Sequence, residues 1–113
     1  MNNYKIYENK ITFKNNSSIE FDFPIEKTLD YENLTFALLE IVDTVYNQNV
    51  FAIDDQGVIL WQIELSESLN EIGECPFIDM EIRENKLSLF NWCGFRFTVD
   101  PMSGKILNQI FTK

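Results

Sequence analysis

Residues 49–64 read NVFAIDDQGVILWQIE, and this stretch decides the fold. An apolar run meets an Asp-Asp-Gln-Gly turn and a second apolar run follows, ending at Trp61. That is the pattern of a β-hairpin. Gly57 can take the positive φ that closes the turn, and Asp54 and Asp55 can accept bonds from nearby backbone N–H groups. A second stretch repeats the plan: residues 95–111, FRFTVDPMSGKILNQIF, with Asp100, Pro101 and Gly104 at the turn. Asp100 follows Asp54 by 46 residues, a period within the roughly 40–50 residues of a repeated sheet unit.

Working outward, residues 4–8 and 11–14 predict a small hairpin around Asn9-Lys10. Ile19, Phe21 and Phe23 alternate with Glu20 and Asp22, which predicts a half-buried strand ended by Pro24. Residues 26–33 are polar and read as a connection. Residues 34–42, LTFALLEIV, predict a buried strand, although Leu34, Leu38, Ile41 and Val45 also fit one helical face. Residues 66–74, SESLNEIGE, are a polar, acidic connection. Beyond it Ile78, Met80 and Ile82 alternate with Phe77, Asp79, Glu81 and Arg83, so the three apolar residues are expected to be buried together against Phe95, Phe97 and Val99 or an opposing sheet. Asn85-Lys86 and Trp92-Cys93-Gly94 supply further turns. The expectation is one all-β domain over residues 1–113. It is an antiparallel meander of 8–10 strands, folded as a β-sandwich or a partly closed barrel with blade-like hairpins.

Charge narrows the function classes. The 113 residues carry 18 acidic and 9 basic side chains and no histidine, for a net charge of −9. Direct binding to nucleic acid or to an anionic membrane surface is disfavoured, because both are anionic. A basic protein partner would be attracted. The N-terminus, MNNYKIYENK, has no apolar signal core, and a cytoplasmic protein is expected. Cys75 and Cys93 would then stay reduced.

Without histidine, Ser-His-Asp and Cys-His nucleophiles and His-ligated metals are excluded. Two thiols alone make a poor zinc site, and no phosphate-binding loop or cofactor motif is present. The carboxylate pair Asp54 and Asp55 sits where a turn already wants Asp. The chain is therefore expected to be non-catalytic, with neither cofactor nor metal. Its candidate partner-binding residues are Trp61 and Trp92 as aromatic anchors, with Glu64, Glu67, Glu71, Glu74, Asp79 and Glu81 as the acidic surface beside them.

Two resemblances extend this reading. Ala52, Asp54, Gly57, Leu60 and Trp61, and more loosely Val99, Asp100, Gly104, Ile106 and Leu107, are similar to the repeat of quinoprotein-type β-propeller blades. This likeness implies twisted meander sheets and no particular activity. In size, charge and Asn/Lys/Ile-rich composition the chain also resembles the small acidic immunity proteins of bacterial toxin–immunity systems, including contact-dependent growth inhibition. That resemblance implies a protein that binds a cognate basic toxin, such as an RNase, and masks its active site. Such a protein would be a monomer alone and a heterodimer with the toxin. The rival expectation is a small-ligand or carbohydrate-binding accessory module, which needs a concave, aromatic-lined pocket.

Overall fold

A computed structural model describes residues 4–44, 46–64 and 75–112. Their regular structure is entirely β, in eleven strands. They are β1 (Tyr4–Tyr7), β2 (Lys10–Phe13), β3 (Ser18–Glu20), β4 (Ile25–Tyr31), β5 (Leu34–Leu39), β6 (Val50–Asp54), β7 (Ile59–Gln62), β8 (Phe77–Arg83), β9 (Lys86–Asn91), β10 (Phe95–Val99) and β11 (Ile106–Phe111). They form three antiparallel sheets, each a simple meander: β1–β3, β4–β7 and β8–β11. The fold is sandwich-like, with no closed barrel, and among the described residues no helix is long and apolar enough to cross a membrane.

The β4–β7 sheet is the middle layer. On one face Leu34, Phe36, Leu38, Val50, Ala52 and Ile63 pack with Phe77, Met80, Leu87, Leu89, Phe97 and Val99 of the outer β8–β11 sheet. On the other face Ala37, Leu39, Phe51 and Ile53 pack with Ile11, Phe13 and Phe21 at the N-terminal sheet. Successive residues of a strand point to opposite faces, so a strand buried on both faces has no place for polar alternation. All six residues of β5 are buried, and LTFALL is a strand with the continuous apolar character that made a helix competitive.

Both quoted hairpins form. Asp54 Oδ1 accepts bonds from Gln56 N and Val58 N, and Gly57 closes the turn at φ 85°. In the second hairpin Asp100 Oδ1 accepts from Met102 N, Gly104 N donates to Asp100 O, and Gly104 has φ 77°. The two turns are covered differently. Ser17 and Phe13 of the N-terminal sheet lie over Gly57, while the ring of Trp61 lies over Gly104.

Four expectations are corrected. Residues 26–33 are no mere connection: residues 25–31 form β4, an edge strand whose polar side chains have an open side. The strand predicted over residues 19–23 is regular only in β3; Phe21, just past its end, is buried in the core, and the chain bends at Asp22 and Phe23. Ile78 is exposed while Phe77 is buried. A β-bulge falls between Phe77 and Asp79, which shifts the phase of the alternation and leaves Met80 and Ile82 facing inward. Cys75 and Cys93 are not free thiols: they form a disulfide, with Cα atoms 5.5 Å apart.

Candidate docking groove

The first strands of the middle and outer sheets, β4 and β8, run beside each other. Lys27 ties them together, its Nζ 2.8 Å from Asp79 Oδ1 and 2.9 Å from Met80 O. Each strand carries a bulge near its start. Glu26 is the extra residue between Ile25 and Lys27, and Ile78 the extra residue between Phe77 and Asp79. A bulge re-aims the side chain it inserts, and both re-aimed residues line the same groove.

The other lining comes from residues 39–44, where the chain leaves β5, and from Pro76, Phe77 and Trp92. The groove has a volume of about 940 Å³. Its floor is fixed by Asn49, a fully buried side chain that donates to Leu39 O and Phe77 O and accepts from Phe77 N. The Trp92 wall is held twice: Trp92 N donates to Pro76 O at 2.9 Å, and the disulfide joins the residue before Pro76 to the residue after Trp92. Cys75 N also donates to Asn47 Oδ1.

Chemically the groove combines apolar side chains with acid. Trp92, Val42 and Ile78 are 68%, 60% and 46% exposed, which is unusual for large apolar groups gathered in one place. Glu26, Glu40 and Asp43 supply three exposed carboxylates. Among the described residues the ion pairs are Lys27–Asp79 and Arg83–Glu81, so these three carboxylates have no cationic partner there.

A family model described as a domain of unknown function, DUF7957, matches residues 1–111. The chain belongs to that family. No curated protein and no solved structure matches it.

The residues singled out in this DUF7957 chain fall in different places. Trp92 stands in the groove. Trp61 is half-buried; its ring packs 5.8 Å from that of Phe36, and its Nε1 donates to Pro101 O at 3.0 Å. Its ring and its polar tip are therefore engaged within the fold. Glu64 is exposed, and its Oε1 accepts from Ile106 N, capping an amide of the edge strand β11. Asp79 and Glu81 lie on β8, each in an ion pair. The Lys27 hydrogen bond holds the Asp79 carboxyl below the usual carboxylate range, with help from the Met80 N–H and against the opposing effect of burial. Glu67, Glu71 and Glu74 lie outside the described residues.

Glu26, Glu40, Val42, Asp43 and Ile78 were not among the sequence candidates. Glu40 breaks the apolar run LTFALLEIV and marks where β5 ends, and Asp43 follows the run directly. The bulges that bring Glu26 and Ile78 into the groove leave no comparable mark. The turn carboxylate Asp54 accepts backbone bonds, as its position required. Among the described residues no group of three or more Cys, Asp and Glu side chains is placed to hold a metal.

Proposed function

We propose that this protein is a non-catalytic immunity or inhibitor protein that binds a cognate basic toxin, such as a nuclease, and neutralises it by masking its active site. The observation that carries the reading is the groove: an exposed tryptophan and two exposed aliphatic side chains bordered by carboxylates that have no cationic partner among the described residues, on a chain of net charge −9. A basic enzyme that handles a polyanion must present cations around its active site. An acidic surface answers that charge and accelerates encounter, while a desolvated aromatic anchor slows release. The cytoplasmic site of action in this reading requires the Cys75–Cys93 bridge to resist reduction. Cys75 is fully buried, which restricts access by cytosolic thiols.

The test is co-expression with the product of the adjacent gene. Rescue of growth, formation of a one-to-one complex and a faster association at low salt are the expected results. Failure to rescue or bind any basic protein encoded beside it removes this reading. The size of the groove and the exposure of Trp92 favour one alternative, a small-ligand or carbohydrate-binding module. Native mass spectrometry of the purified protein separates the two, because only the alternative expects a retained small molecule.

A further inference from the structure

We infer that the groove receives a segment of the partner bearing one large apolar side chain flanked by lysine or arginine. The inference deepens the neutralisation reading and rests on it for the identity of the partner, not for the chemistry of the groove. Val42, Ile78 and Trp92 offer the anchor site, and water leaves all three when an apolar side chain enters. Glu26, Glu40 and Asp43 surround that site with charge that no described basic residue offsets; the nearby Lys27 is already bonded to Asp79 and Met80 O. A cation beside the Trp92 ring gains from both the carboxylates and the ring face.

The mode of docking follows from the strand edges. β4 and β8 are edge strands, but each is bulged at the groove, and Lys27 bridges them. A bulged edge does not accept a regular added strand, so the occupant is read through side chains rather than through a β-ladder. A second copy of this chain is a poor occupant, since two chains of charge −9 repel. The groove walls are pre-set by Asn49 and the disulfide, which lowers the ordering cost of binding.

The probe is an amidated peptide, Lys-Lys-Gly-Phe-Lys-Lys, titrated into the intact protein while both tryptophan indole N–H resonances are followed. Two control peptides replace either Phe by Ser or every Lys by Gln. The Trp92 resonance should move and that of Trp61 should not, and each control should bind roughly tenfold more weakly or worse. Trp92→Ala, and Glu40→Gln combined with Asp43→Asn, should weaken the parent peptide to a similar degree. Glu81→Gln, whose pairing with Arg83 lies on β8 away from the groove lining, should leave it unchanged. No binding, equal binding of all three peptides, or loss of binding through Glu81 instead overturns the inference. The toxin distinguishes the two proposals. If the peptides behave as stated but no toxin binds, the groove chemistry stands and the neutralisation reading falls. If the toxin binds Trp92→Ala/Glu40→Lys with unchanged affinity, the groove inference falls and the neutralisation reading stands.

Discussion

The middle sheet, β4–β7, and the outer sheet, β8–β11, share a plan. Each is a four-stranded meander, each has a bulge in its first strand, at Glu26 and Ile78, and each has another in its last strand, at Leu60 and Leu107. They differ in how they are held. The middle sheet is covered on both faces, and β5 and β6 are almost wholly buried. The outer sheet packs one face against the middle sheet, and the disulfide staples the chain just ahead of its first strand to the β9–β10 turn. Burial on two faces and a covalent link are thus alternative ways to secure the same unit. The groove lies where the first strands of the two sheets meet, so it inherits rigidity from both.

Removing the staple should break this symmetry most. In Cys75→Ala/Cys93→Ala the lost link spans 18 residues, and the expected destabilisation is about 3 kcal/mol. Thermal or urea unfolding measures the total. Amide exchange measures its distribution: β8 and β9 should lose protection well beyond β5 and β6. Equal loss in both sheets means that the disulfide supports the whole molecule and that the contrast between the sheets is wrong.

The two hairpin turns sharpen the comparison at a smaller scale. Gly57 and Gly104 both hold positive φ, so valine at either costs about 1–2 kcal/mol from the backbone alone. Their neighbours then separate them. A Cβ at Gly57 meets the Ser17 hydroxyl and the Phe13 ring, and the hydroxyl can move aside by giving up its bonds to Gln56 O and Asn15 Oδ1. A Cβ at Gly104 runs into the Trp61 ring, which is held by Phe36 and by the bond to Pro101 O. Gly104→Val should therefore lower the melting temperature more than Gly57→Val, and should disturb Trp61 fluorescence as well. The reverse order would show that the Trp61 contact is loose.

How much of this was legible in the sequence follows from the same contrast. The two hairpins were readable because their turns demand Asp and Gly at fixed places, and the structure puts both residues to that use. LTFALL was ambiguous because a strand buried on both faces loses the alternation that separates strand from helix. IEKTLDY was missed for the opposite reason: on an edge, one side of the strand stays wet. The phase error at Ile78 came from the bulge, because counting in twos assumes an unbroken ladder. The groove was the least legible feature. It joins residues from β4, the exit of β5, the start of β8 and the β9–β10 turn, and only Trp92 announced itself, as a large aromatic in a turn. The cysteine pairing was hidden likewise, since 18 residues of separation fix no distance in space.

The smallest expected effect concerns the Lys27–Asp79 ion pair, which links the two sheets. Lys27 of β4 reaches Asp79 of β8, with the side chains 40% and 58% exposed. Solvent screens such a pair, so its contribution should be at most about 0.2–1 kcal/mol. Its sign with pH is nevertheless defined. The Asp79 pKa is lowered in the fold, chiefly by the Lys27 bond. Stability from this source is therefore fully present above the unfolded carboxylate pKa and is lost as pH falls through the lower, folded value. The stability gap between the wild type and Asp79→Asn should be flat near neutrality and close in acid, with an NMR titration of the Asp79 carboxyl reporting the midpoint. Lys27→Met should cost more than Asp79→Asn, because it also removes the bond to Met80 O across the sheets. Glu81→Gln should cost nothing measurable, since Arg83–Glu81 spans 3.6 Å within a single strand and joins no two layers. A gap that persists unchanged into strong acid, or an equal effect from Glu81→Gln, would mean that the β4–β8 seam is held by packing alone.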